Sequence, residues 1–355
     1  METLAHDLSD EASEAARLNE FPLTPFGESL LMAAKKLTGR PKWASVHAIS
    51  GLKRAWLIAP IDPEMALFRA ITAEEEAATA LITALKIQRY PNAELLNARD
   101  HAHKNGLYPF IRGIESLLAE SGWPSPQMQL QHEDRKPRID IHFRSEELGF
   151  PPGQQVTPDE PLNMTAHRGR KDSSERIVED FGDQLQALAE GRGAKNIGEV
   201  IKTEANFRNR LLYAADSGIP IVQNVDPELI ARRKRILLLV GLTVVILQTK
   251  AHQLFAVQAV QAYLTALGKS VPESFDFDAA VGEPPEILFN VTKEHGGQPI
   301  ARVIRRFRPA NFAAVNLSVS ISVRGPSPEE SWIWSPAPLD VVDHAFGSLI
   351  DVEIP

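Results

Sequence analysis

Apolar positions recur at helical spacing between Glu64 and Leu85. At about 100° per residue, Leu67, Ile71, Ala78, Leu81, Ile82 and Leu85 fall on one stripe, and Glu74 projects onto its middle. A carboxylate facing a core must be paired, hydrogen-bonded or neutralised. Ala70, Ala77 and Ala84 form a small-residue strip beside the stripe, which lets another helix approach closely. Asp62-Pro63-Glu64 is a helix start, with the acid at the N-cap and proline at the first helical position.

The next segment supplies partners for that acid. Pro91 suits a helix first turn, and on the helix predicted to follow, Leu95, Leu96, Arg99, Ala102 and His103 share one face. Arg99 and His103 are four apart and stack. The short connection around Arg89 to Asn92 makes the two helices antiparallel neighbours. Glu74, Arg99 and His103 are therefore the candidate catalytic cluster. The competing reading is a structural ion pair, because structural networks pair charges as readily as active sites do.

Periodicity organises the remainder. Helical spacing at residues 4 to 19, at Phe26 to Leu37 and at Tyr108 to Ala119 makes residues 1–120 a helical bundle, with Trp43 to Ile61 readable as helix or loop. Residues 121–172 hold strands and a long loop: Gln127 to Gln131 and Arg138 to Arg144 alternate with the period of two expected of half-buried strands. Residues 173–268 form a second helical region. Its apolar run Ile236 to Leu247 would rise only about 18 Å as a helix, short of the ~30 Å hydrocarbon core, so no membrane span is expected. Val244, Val245 and Ile246 keep strand open for that run. Residues 269–355 are β-rich, with strand character at 286–292, 300–307, 314–323, 331–334 and 349–354. The expected class is α+β, helical bundles dominant, with a C-terminal antiparallel β-sheet region.

Composition narrows the chemistry. The 355 residues carry no cysteine, which removes disulfides, thiolate metal sites and thiol catalysis and fits a reducing compartment. Met1 to Glu20 is acidic and lacks the order of a signal peptide, so the chain is expected to be cytoplasmic. A formal net charge of −8 argues against wrapping of nucleic acid by the whole chain. Two local basic stretches differ: Arg302, Arg305, Arg306 and Arg308, and Arg138 with Arg144, are the candidate phosphate-contacting residues. His101 and His103, two apart on a helix, cannot share an ion, and no metal site or cofactor is assigned. Walker, dinucleotide, His-Glu-x-x-His and Gly-x-Ser-x-Gly motifs are absent.

The run Ala70-Ile-Thr-Ala-Glu-Glu-Glu-Ala-Ala-Thr-Ala-Leu81, followed by the polar segment Arg99 to Lys104, resembles the helical core of the HEPN superfamily, and within it abortive-infection proteins of the AbiV type. HEPN ribonucleases carry an arginine, four to six residues, then a histidine; Arg99 and His103 have three between them. The resemblance implies metal-free RNA cleavage, with His103 moving a proton, Arg99 stabilising phosphate charge and Glu74 orienting one of them. Two functions are thus expected: a non-catalytic sensor or scaffold of an antiphage defence system, binding a protein partner or itself, and as the alternative a HEPN-like ribonuclease effector acting on RNA.

Overall fold

The structure is a computed structural model that describes residues 23–120, 127–133, 136–144, 154–158, 161–162, 164–169, 176–213, 221–222, 224–272, 287–295, 298–307, 315–317 and 335–336. The expected helix at 4–19, most of the expected strand at 314–323, those at 331–334 and 349–354, and Arg308 lie outside the described residues. The chain divides into two compact units of discontinuous segments: Met1–Ile87, Leu96–Tyr108 and Glu199–Leu247 in one, and Gln88–Leu95, Pro109–Gly198 and Gln248–Pro355 in the other.

In the first unit, α1 (Pro25–Lys36) follows Thr24, whose hydroxyl accepts the Gly27 amide at 3.2 Å. α2 (Gly39–Ile58) settles the Trp43 to Ile61 ambiguity as helix, with Pro41 in its first turn, where a missing N–H leaves no bond unmade. Asp62 caps α3 (Pro63–Ile87) by accepting the Met65 amide at 2.9 Å. Small residues set how closely α2 and α3 pack. A Cβ added at Gly51 would lie 3.1 Å from the Ala73 Cβ, and Ala70, Ala77 and Ala84 are fully buried.

The segment after Pro91 differs from its predicted form. It contains a single 3-10 turn, Ala93–Leu95, then non-helical chain up to the short α4 (His101–Asn105). Asp100 explains where that helix begins, since its side chain accepts the Ala102 amide at 2.8 Å as an N-cap. The start of α5 (Leu107–Glu120) follows directly.

α6 (Gly182–Gly191), α7 (Ile197–Leu212), α8 (Asp226–Gln248) and α9 (Leu254–Ala266) complete the helices. The run Ile236 to Leu247 is helix, inside α8, with Ile236, Val240, Val244 and Val245 buried. No described helix is long and apolar enough to cross a membrane.

The second unit has its own aromatic core. Phe110 meets Phe181 edge-on at 5.8 Å and Tyr263 at 5.1 Å between ring centroids. Glutamines from its helices serve as backbone partners for extended chain. Gln248 accepts from the Ile139 amide and donates to the Ile139 carbonyl, both at 2.9 Å, and Gln258 does the same for Ala166. A Cβ at Gly113 would sit 2.7 Å from a methyl of Leu185, itself buried. Gly113→Ala is therefore expected to cost about 1–3 kcal/mol by overpacking, visible as a lower thermal midpoint.

The expected class is corrected. The body is mostly helical, 72%, and no C-terminal antiparallel sheet is shown. β1 (Lys136–Arg144), with Ile139 and Ile141 buried, pairs antiparallel with Gln127–Glu133. The correction has a physical reason. Period-two alternation shows that a stretch can form a strand, while forming a sheet needs partners that local sequence does not specify.

Candidate functional site

Adjacent residues on a helix point about 100° apart, so the neighbouring acids Glu74 and Glu75 of α3 enter two different networks. Both are buried.

Glu74 faces α8. Its Oε2 accepts from Arg232 Nη1 at 2.6 Å and lies 3.7 Å from Arg235 Nη1. Arg232 also meets Glu228 at 2.8 Å, and the Arg235 guanidinium lies 4.0 Å from the centre of the Tyr108 ring. Burial pushes the Glu74 carboxyl above its ordinary range, and Arg232 and Arg235 pull it part of the way back. Burial also acts to lower Arg235, yet Glu74 and Glu228 raise it overall, which keeps its guanidinium charged.

Glu75 faces α4 and α7. Its Oε1 lies 2.8 Å from His101 Nδ1 and accepts from Asn105 Nδ2 at 3.0 Å. Its Oε2 accepts from Lys104 Nζ at 2.9 Å and Arg208 Nη1 at 3.4 Å. Arg208 in turn stacks on Phe68, 5.0 Å from the ring centre. Burial acts to raise the Glu75 carboxyl, but hydrogen bonds from Lys104, Asn105 and His101 outweigh it and hold the group below its ordinary value. An ionised carboxylate only accepts, so Nδ1 of His101 carries a proton and donates it to Glu75. The His101 side chain is 51% exposed while Glu75 is 3% exposed. A buried acid thus holds a ring that reaches solvent.

This arrangement fixes a pH dependence. A carboxyl with a depressed folded-state value contributes stability that is complete above the ordinary glutamate range, about 4.3, and is lost as pH falls through the depressed value. Acid titration followed by helical circular dichroism should therefore show wild type losing stability below that range, with a shallower loss in Glu75→Gln.

The predicted cluster of Glu74, Arg99 and His103 is corrected. Glu74 takes its cations from α8, whereas Arg99 is exposed and forms no ion pair with it. Arg99 precedes α4, and its backbone amide bonds the Asn97 side chain at 3.0 Å. His103 is buried, its Nδ1 accepting from the Asn97 amide at 3.0 Å. Since Arg99 is not on the helix that holds His103, the predicted four-residue stack does not form.

Of the basic residues, Arg138 is paired with Asp140 at 2.9 Å. Arg144 ends β1, and Arg302, Arg305 and Arg306 fall within Gln298–Phe307; the side chains of these four are outside the described residues. Among the described residues there is no group of three or more histidine or carboxylate ligands placed to hold a metal ion.

Sequence reasoning missed Glu75, His101, Lys104, Asn105 and Arg208 as one centre. The first four were accessible in principle, because Asp100 signals a helix start that puts His101, Lys104 and Asn105 on adjoining positions of one turn. Arg208 lies 133 residues from Glu75, and nothing local announces it. No family model, no curated protein and no solved structure matches this chain.

Proposed function

We propose that the first unit is a metal-independent ribonuclease module of the HEPN kind, acting through Glu75 and His101 instead of the Glu74, Arg99 and His103 set. The observation that carries this reading is the half-exposed His101 ring held by a buried, ionised carboxylate that also gathers Lys104 and Arg208. With Nδ1 bonded to Glu75, the Nε2 atom is the group that takes the proton from a ribose 2′-hydroxyl. The hydroxyl oxygen then attacks the adjacent phosphorus to close the 2′,3′-cyclic phosphate, and the bond to the 5′-oxygen breaks with its electron pair going to that oxygen, which takes a proton from water to leave as the 5′-hydroxyl. Lys104 and Arg208 together outnumber Glu75 in charge, which favours the extra negative charge on phosphorus in the transition state. The resemblance of Ala70 to Leu81 and Arg99 to Lys104 supports the same reaction class and a setting in antiphage defence.

A second reading, the non-catalytic sensor or scaffold that binds a protein partner or itself, is favoured by large apolar side chains on the surface. Trp43 is 66% exposed, Ile61 84% and Leu57 58%. Incubation of the purified protein with total RNA in the presence of a chelator, with a mass measurement by light scattering, separates the two. RNA fragments support the ribonuclease. Intact RNA together with a stable self-assembled species supports the scaffold.

A further inference from the structure

Two arginines of α8 share Glu74 and Glu228, and they are bonded unequally. Arg232 takes both short contacts, 2.6 Å to Glu74 and 2.8 Å to Glu228. Arg235 takes neither: its nearest oxygens on those carboxylates lie 3.7 and 3.9 Å away, and its Nε has no hydrogen-bond partner among the described residues. Glu74, Glu228 and Tyr108 nevertheless keep its guanidinium charged. The Arg232 side chain is 4% exposed and that of Arg235 16%. A charged fork thus reaches the surface with N–H groups that neither of its acids accepts at hydrogen-bond distance.

Helix phase gives its place relative to the Glu75 centre. His101, Lys104 and Tyr108 are three and then four residues apart, the spacing of one face. The right-handed backbone of Gly106, with φ −75° and ψ −17°, carries that face from α4 into α5. Lys104 bonds Glu75 at 2.9 Å, and the Arg235 guanidinium lies 4.0 Å from the centre of the Tyr108 ring. Residues four apart on a helix have Cβ atoms about 5–6 Å from each other, so Arg235 stands one step beyond Lys104 along the face that begins at His101. One nucleotide of an extended strand spans such a step.

We propose that Arg235, backed by Tyr108, is a second phosphate subsite, which takes the phosphate next to the scissile one in the RNA. The inference rests on the reading of Glu75 and His101 as a ribonuclease centre and narrows its substrate class to strands with at least two consecutive phosphates. The scissile phosphate sits at Lys104 and Arg208, and its neighbour sits in the fork of Arg235. A guanidinium can donate two parallel N–H bonds to phosphate oxygens, and stacking on an aromatic ring fixes the plane in which they are offered. A phosphate contact positions the strand without reading its bases.

Oligouridylates methylated on every 2′-oxygen lack the attacking hydroxyl, so their binding to the full chain is measured without cleavage. For a hexamer, Arg235→Gln should weaken binding at least tenfold, the loss expected of a hydrogen bond to a charged group. It should also reduce the slope of log affinity against log salt by about 0.7, one phosphate contact on a single strand. Arg235→Lys should keep the slope and lose part of the affinity, because the charge remains and the fork does not. A dimer, which has a single phosphate, should bind wild type and both variants alike. A glutamine variant that keeps the wild-type slope, or that loses the dimer as strongly as the hexamer, overturns the inference, as does a wild type that binds neither. Should the glutamine variant fail to fold, Arg235→Lys decides: weaker hexamer binding with dimer binding kept supports the subsite, and unchanged affinity for both overturns it. The ribonuclease reading falls separately, since the expected binding by a chain that leaves RNA intact keeps the subsite and removes the chemistry.

Discussion

Glu74→Ala is expected to destabilise the first unit by about 3–5 kcal/mol, the cost of removing one partner from a buried ion pair. The magnitude follows from the burial of both sides: the Glu74 side chain is 6% exposed and that of Arg232 is 4%. Among the described residues, alanine leaves the Arg232 guanidinium out of water with Glu228, itself 37% exposed, to balance it. Urea unfolding should show a lower midpoint, because most of the lost free energy belongs to the folded state. Replacing both partners with apolar groups, Glu74→Leu with Arg232→Met, should recover much of the loss, since a buried pair and a packed apolar pair are often near equal. Arg99→Ala, at an exposed position, should change stability by less than about 0.5 kcal/mol. Equal effects at Glu74 and Arg99 would contradict the assignment of Glu74 to α8.

His101→Gln is expected to lower RNA cleavage by about 10²–10⁴-fold, the usual contribution of a positioned proton-transfer group. Glutamine keeps an N–H that can donate to Glu75, so the fold should be preserved, and the unfolding midpoint is the control. His103→Gln tests the rival histidine. Because His103 is buried with Nδ1 engaged by the Asn97 amide, its replacement should affect stability more than the chemical step. Activity that survives in His101→Gln but vanishes in a stable His103→Gln would reverse the two assignments.

What could be read from the sequence was local phase. Burial of Glu74, the capping of α3 by Asp62 and the close packing allowed by alanine all follow from spacing within one helix, and each is present. Identity of the partner was not legible, because Arg232 lies 158 residues away. The segment after Pro91 misled for a definable reason. Arg89 and Asn92 adopt left-handed backbone, with φ of 57° and 62°, so the chain turns there and does not start a long helix. Asp100 then begins a new, short helix whose first residue is His101. Moving the helix start removed Arg99 from the expected face and brought His101 to Glu75. In α8 helix was the expected form and the β-branched run only kept strand open, while burial of residues around its whole circumference is a tertiary outcome that periodicity does not forecast.

The most direct test of the central claim is the chemistry of the RNA ends produced by wild-type protein in excess chelator. Attack by the 2′-hydroxyl under His101 predicts fragments ending in a 2′,3′-cyclic phosphate and beginning with a 5′-hydroxyl, absent from the His101→Gln reaction. Fragments beginning with a 5′-phosphate, cleavage that stops when divalent metal is removed, or no cleavage at all would contradict it.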